Sequence, residues 1–152
     1  MSTPAWLVAG DAYLSLINGV EDAYFIPRNL LARVAYQECS WRPEVISGAI
    51  KSPAGAVGMF QLLPKYFPGA GQSIVADANT AGQLLTNLYL RFKDWTLALA
   101  AYNWGGGNVH HEMVTVDGVG NVITLEDLPT ETANYVRAVC ADVPAATGVL
   151  LA

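Results

Sequence analysis

Apolar residues fall at helical intervals along most of this chain, and polar or glycine-rich breaks mark where helices stop. Leu7, Leu14 and Ile17 share one side of a predicted helix over residues 3–17. Ser2 or Thr3 can cap it, Pro4 suits its first turn, and Asn18-Gly19 can end or bend it. A second helix is predicted over residues 27–39, opened by Pro27, with Leu31, Val34 and Ala35 on one face. Residues 42–51 read as a loop, Gly58 to Lys65 as a short helix or turn, and residues 73–78 as a connection. Leu84, Leu85, Leu88 and Phe92 supply the buried side of a helix over residues 80–93. Asp94 can cap the next helix, residues 95–103, whose run Leu97-Ala98-Leu99-Ala100-Ala101 is apolar on nearly all sides, as in a central helix. Trp104-Gly105-Gly106-Gly107 stops it. A last helix starts near Pro129, with Thr130 and Glu131 in its first turn, and runs through Tyr135, Val136, Val139 and Cys140. The small apolar tail from Pro144 reads as frayed.

One stretch departs from the helical period. Met113-Val114-Thr115-Val116 alternates with β-branched residues, Asp117-Gly118-Val119-Gly120-Asn121 is turn-rich, and Val122-Ile123-Thr124-Leu125 alternates again. That pattern predicts a β-hairpin over residues 113–125. The predicted fold is therefore mainly α (α+β), with a small hairpin insertion, in a single domain over residues 1–152.

Within the second helix, Glu38 lies four residues past Val34 and seven past Leu31, on the apolar stripe at its C-terminal end. A carboxylate there is costly unless it is paired or protonated. The negative end of the helix dipole also disfavours the anion. Both effects raise the pKa, which makes Glu38 a candidate general acid. The competing reading is a glutamate that ends a helix and points to water. Downstream, Ser52-Pro53-Ala54-Gly55-Ala56-Val57-Gly58-Met59-Phe60-Gln61-Leu62-Leu63-Pro64 is rich in small residues, which permits close backbone approach. Gln61 is a lone amide among apolar neighbours and needs a partner if buried.

Composition narrows the function classes. With 152 residues and a net charge of −5, the chain is globular but a poor nucleic-acid binder. No apolar run is long enough to span a bilayer. The N-terminal residues lack a basic region before an apolar one, so no secretory signal is expected. Two cysteines, Cys39 and Cys140, do not make a disulfide framework. His110 and His111 are adjacent and point apart on most backbones, so no metal and no cofactor is expected.

Glu38, Gly58-Met59-Phe60-Gln61, Ala101-Tyr102-Asn103 and Leu128-Pro129-Thr130-Glu131-Thr132-Ala133-Asn134-Tyr135-Val136 occur in that order. Together they resemble the catalytic domain of the soluble lytic transglycosylases, over roughly residues 20 to 140. The resemblance implies a lysozyme-like helical fold and cleavage of peptidoglycan glycan strands. It implies Glu38 as the catalytic acid, then base. It also implies orienting or sugar-binding roles for Met59, Gln61, Tyr102, Asn103 and Tyr135. Cys39 stands where the family usually has Ser, a better hydrogen-bond donor. Ordinary glycosidases use two carboxylates, and substrate-assisted chemistry is an exception; Asp77, Glu44 and Glu112 lie outside the matched segments. A substrate outside the cytoplasm, set beside the absence of an export signal, is reconciled by a virion-associated protein, by delivery to the cell wall through another route, or by a domain excised from a larger protein, with virion proteins as candidate partners. Three alternatives stay open. They are a goose-type lysozyme that hydrolyses the same bond, a glycan-binding or structural virion domain without activity, and a cysteine peptidase using Cys39.

Overall fold

The computed structural model describes residues 2–115 and 123–152. Its first helical stretch is broken early. Helix α1 spans Ala5–Ala9 and α2 spans Asp11–Tyr24, with Gly10 between them. The expected stop at Asn18-Gly19 is not used, and α2 runs through both residues to Phe25, a left-handed cap. The break falls at Gly10 because the Trp41 ring lies against it, and an added Cβ would come within 2.8 Å of the indole Nε1.

Helix α3, Leu30–Cys39, begins three residues later than Pro27 suggested. Pro27 instead closes a turn, its carbonyl accepting the Leu30 N–H at 3.0 Å. Helix α4, Pro43–Ile46, occupies part of the expected loop. The long helix α5, Ile74–Phe92, starts six residues before residue 80. Ser73 caps it, its hydroxyl accepting the Ala76 N–H at 3.2 Å.

Helix α6, Trp95–Trp104, is the apolar central helix expected, and Asp94 caps it by accepting the Leu97 N–H at 2.9 Å. Gly105, at φ 104°, ends α6, and α7, Gly106–Thr115, starts at once. The glycine run thus separates two helices. The hairpin expected at 113–125 is not seen. Met113, Val114 and Thr115 end α7, Leu125 opens a 3-10 turn over Leu125–Asp127, and residues 116–122 lie outside the described ones. Buried Val109 sits one turn before Met113, so helical spacing prevails over local alternation there. Thr115 returns its hydroxyl to the His111 carbonyl at 2.8 Å, a bond made within the helix.

Helix α8, Thr130–Asp142, follows Pro129. The tail is docked rather than frayed. A 3-10 turn, Val149–Leu151, donates the Val149 N–H to Asp94 Oδ2 at 2.7 Å and the Leu150 N–H to Thr96 Oγ1 at 3.2 Å.

The chain forms two compact units, Met1–Gln83 and Leu84–Ala152. In the first, Ile17, Leu30, Leu31 and Val34 are fully buried where α2 meets α3, and Phe60 is fully buried as well. In the second, Leu99, Val109 and Val136 are fully buried where α7 and α8 pack on α6. Among the described residues no helix is long and apolar enough to cross a membrane.

Candidate active site

Glu38 occupies the last turn of α3 and is half-buried, on the stripe that its spacing implied. The next two residues fix where that stripe ends. Ser40 and Trp41 are both left-handed, at φ 51° and 56°, and the Ser40 N–H closes on the Tyr36 carbonyl at 2.8 Å. Non-glycine residues adopt this conformation at a cost, so neighbouring contacts must hold it. Trp41 supplies them. Its ring stacks on Tyr13 at 5.5 Å, tilts against Tyr36 at 6.0 Å, and donates its N–H to the Trp6 carbonyl at 2.8 Å.

Cys39, only 2% exposed, sits beside Glu38 in the packed interior. Burial pushes its thiol up to about 11, and the neighbouring Glu38 charge adds to the shift. Such a thiol is protonated at neutral pH and shut away from solvent, the reverse of an activated nucleophile. This disfavours the cysteine peptidase reading.

Gln61 lies in a tight reversal, not a helix. Val57 and Leu62 exchange backbone hydrogen bonds at 2.9 and 3.1 Å, with Gly58 at φ 83° and Gln61 at φ 52°. The Gln61 amide donates to the Gly58 carbonyl at 2.9 Å, which is the partner its surroundings required. Met59 is 1% exposed and belongs to the core. Gly58 has no room for a side chain, because a Cβ there would meet Asp77 Oδ2 at 2.7 Å. Asp77 is 4% exposed and takes the Gly71 N–H on both oxygens at 3.1 Å. Burial raises its pKa and the Gly71 bond opposes that. A cavity of about 330 Å³ opens between α4 and the start of α5, and none of the candidate residues lines it.

The remaining candidates belong to the second unit. Tyr102 and Asn103 are half-buried at the end of α6. Asn103 Oδ1 accepts the Thr132 hydroxyl at 2.8 Å, which ties α6 to α8. Tyr135, one turn beyond Thr132 on α8, is 4% exposed. The Thr132 bond thereby sets Asn103 and Tyr135 on one helix–helix junction. His110 and His111 lie exposed on α7, and among the described residues no three His, Cys, Asp or Glu side chains cluster as metal ligands.

One charged residue is not singled out by the sequence pattern. Glu21, 0% exposed, accepts the N–H groups of Asn29, Leu31 and Ala32 at 2.9, 2.9 and 3.1 Å, and the Asn18 amide at 2.7 Å. A signal exists all the same, since Glu21 follows Ile17 by four residues on an apolar stripe, just as Glu38 follows Val34.

These features define a helical domain of the lysozyme-like class, built around one short helix that ends in a half-buried carboxyl. Comparison with known proteins agrees. Residues 15–118 match the family described as Transglycosylase SLT domain. Soluble lytic murein transglycosylase of Escherichia coli (strain K12) is 30% identical over 147 residues, covering 86% of this chain and 22% of its own. The Salmonella typhimurium (strain LT2) protein of that description is 31% identical over the same shares. The solved structure of the 70 kDa soluble lytic transglycosylase SLT70 from Escherichia coli matches with a TM-score of 0.68 at 28% identity, covering 86% of this chain and 23% of that one. The chain belongs to the SLT transglycosylase family, and it spans about a fifth of the length of the curated relatives it matches.

Proposed function

We propose that this chain is a peptidoglycan lytic transglycosylase that uses Glu38 as acid and then as base. The observation that carries the reading is the half-buried Glu38 at the end of α3, in a chain of this family. Among the described residues the two buried carboxylates are engaged elsewhere, which suits a single-carboxyl mechanism. Glu21 and Asp77 are each occupied by backbone N–H groups, and Asp94 caps α6 and clasps the tail.

In the first step Glu38 protonates the oxygen linking N-acetylmuramic acid to N-acetylglucosamine. The C1–O4 bond breaks as the substrate's acetamido oxygen closes on C1. In the second step the Glu38 carboxylate takes the proton of the C6 hydroxyl. O6 then displaces the acetamido oxygen at C1, leaving a 1,6-anhydro sugar. The proton given in the first step is recovered in the second, and no water is consumed. The roles proposed for Tyr135 and for the Tyr102-Asn103 pair stay those the family resemblance implies, with the pair holding a sugar amide or hydroxyl. With its oxygen held by Thr132, Asn103 presents an NH₂ donor for a sugar carbonyl.

The test is product analysis on purified sacculi, wild type beside Glu38→Gln. Anhydro products one water lighter than hydrolysis products, lost in the variant, support the proposal. Reducing-end products select the goose-type hydrolase. Glycan binding without any cleavage selects the non-enzymatic reading.

A further inference from the structure

We infer that Glu21 is a positioning residue for this reaction: its carboxylate holds the first turn of α3 against α2 and so sets the bearing of Glu38 at the other end. The inference rests on Glu38 being the catalytic acid.

The first turn of any helix leaves backbone N–H groups without helical partners. In α3 the usual remedy is absent, because Asn29 at the N-cap is left-handed, at φ 69°, and its side chain makes no capping bond. Leu30 donates to the Pro27 carbonyl at 3.0 Å. The N–H groups of Asn29, Leu31 and Ala32 all go to Glu21. The Asn18 amide completes the set and also reaches Asn29 Oδ1 at 3.1 Å, steadying the left-handed residue. Two oxygens thus take four donors, the full capacity of an ionised carboxylate. The ladder proper starts one residue on, where the Arg33 N–H meets the Asn29 carbonyl at 2.8 Å.

This cap differs from an ordinary one in its origin. It comes from another helix, so it fixes where α3 lies as well as where it starts. The helix is ten residues long, about 15 Å, and its far end is held by the Trp41 reversal. Glu38 sits between two anchored ends. Release of one end lets the helix turn or fray, and a slip of one residue swings a side chain by about 100°.

The cap is also open to protons. Burial pushes the Glu21 carboxyl above its ordinary value of 4.5, while the N–H and amide bonds pull it down. Among the described residues, the charged side chains on the neighbouring elements have other partners. From the following turn, Arg28 comes within 3.9 Å and is itself paired with Asp22 at 2.7 Å. On α3, Arg33 is turned toward Gln37 and the rings of Trp6 and Tyr36. On α5, Asp77 is engaged with Gly71. Protonation would set an O–H among N–H donors and displace at least one of the four bonds.

The experiment measures kcat and KM on soluble peptidoglycan fragments across pH for wild type, Glu21→Gln, Glu21→Asp and Glu38→Gln. Glu21→Gln, an uncharged mimic of the protonated acid, is expected to lower kcat roughly tenfold to hundredfold. KM should change little, and the part of the acid limb contributed by Glu21 should vanish. Glu21→Asp, which keeps the charge, should recover part of kcat. A folded Glu21→Gln with wild-type kcat and acid limb overturns the inference. If that variant does not fold, carboxyl NMR titration of the wild type decides. A Glu21 transition felt at the Leu31 and Ala32 amides and at the Glu38 carboxyl supports positioning, and a silent Glu38 overturns it. An active Glu38→Gln removes the proposed function itself. An inactive Glu38→Gln beside an unaffected Glu21→Gln removes only this inference.

Discussion

Replacing Gly10 with alanine is the sharpest test of how the Glu38 helix is terminated. The backbone there, φ −95° and ψ 9°, accepts alanine, so conformation alone would favour the change. A smaller unfolded ensemble is worth about 0.4–1 kcal/mol. Against that, the new methyl would lie within 2.8 Å of the Trp41 Nε1 and closer still to Cε2 and Cζ2. The ring cannot shift freely, because it stacks on Tyr13 and its N–H is bonded to the Trp6 carbonyl. Overpacking costs about 1–3 kcal/mol, and a buried donor losing its acceptor costs about 1–3 kcal/mol more. The net expectation is a loss of about 2 kcal/mol, or a fall in Tm of about 4–8 °C at this size. Gly19→Ala is the matched control. It lies inside α2 with nothing within 4 Å of where its methyl would sit, so it should stabilise by about 0.5–1 kcal/mol. Thermal and urea unfolding followed by circular dichroism read both. A Gly10→Ala protein as stable as wild type would refute the claim that Trp41 is pinned against this glycine.

Glu38→Gln should fold as wild type does and lose wall-cleaving activity by at least roughly 10²-fold, read by turbidity loss of sacculi and by circular dichroism. Because burial holds the Cys39 thiol near 11, iodoacetamide at pH 8 should leave it unmodified in the native protein and label it once denaturant is added, as mass spectrometry will show. Gly148→Ala would drive a methyl into Asp94 Oδ1 and Thr96 Oγ1; the tail should undock, which hydrogen exchange at the Val149 and Leu150 amides will report. Burial raises the Asp77 pKa above its ordinary 3.8, so the native state binds this proton more tightly than the unfolded one. The contribution is therefore present at pH below 3.8 and is lost as pH rises through the native value. Asp77→Asn should flatten that part of the stability–pH curve in urea titrations.

Where the sequence was legible, short-range chemistry decided the outcome. The Asp94 cap, the apolar all-round α6 and the place of Glu38 on its stripe follow from spacing and residue type alone. The departures trace to contacts between distant segments. Gly10 breaks the first helix because Trp41, far along the chain, presses on it, and no local pattern announces that. Pro27 does not open α3 because Glu21 supplies the cap from α2. The tail is ordered because Asp94 serves two amides 52 residues apart in number, Leu97 and Val149. Residues 113–115 alternate like a strand, yet they finish a helix that Val109 already anchors. Glu21 meets the same spacing test that marks Glu38, but it stands outside the segments that carry the family resemblance, and its four donors become visible only once α2 and α3 are folded together.

The left-handed pair Ser40 and Trp41 also insulates the end of α3 from drift in loop length. The chain's direction is reset before Arg42, so insertions or deletions in the stretch beyond it have no lever on the carboxyl upstream. Changes of length beyond Arg42 are absorbed there, while Glu38 keeps the bearing that α3 gives it.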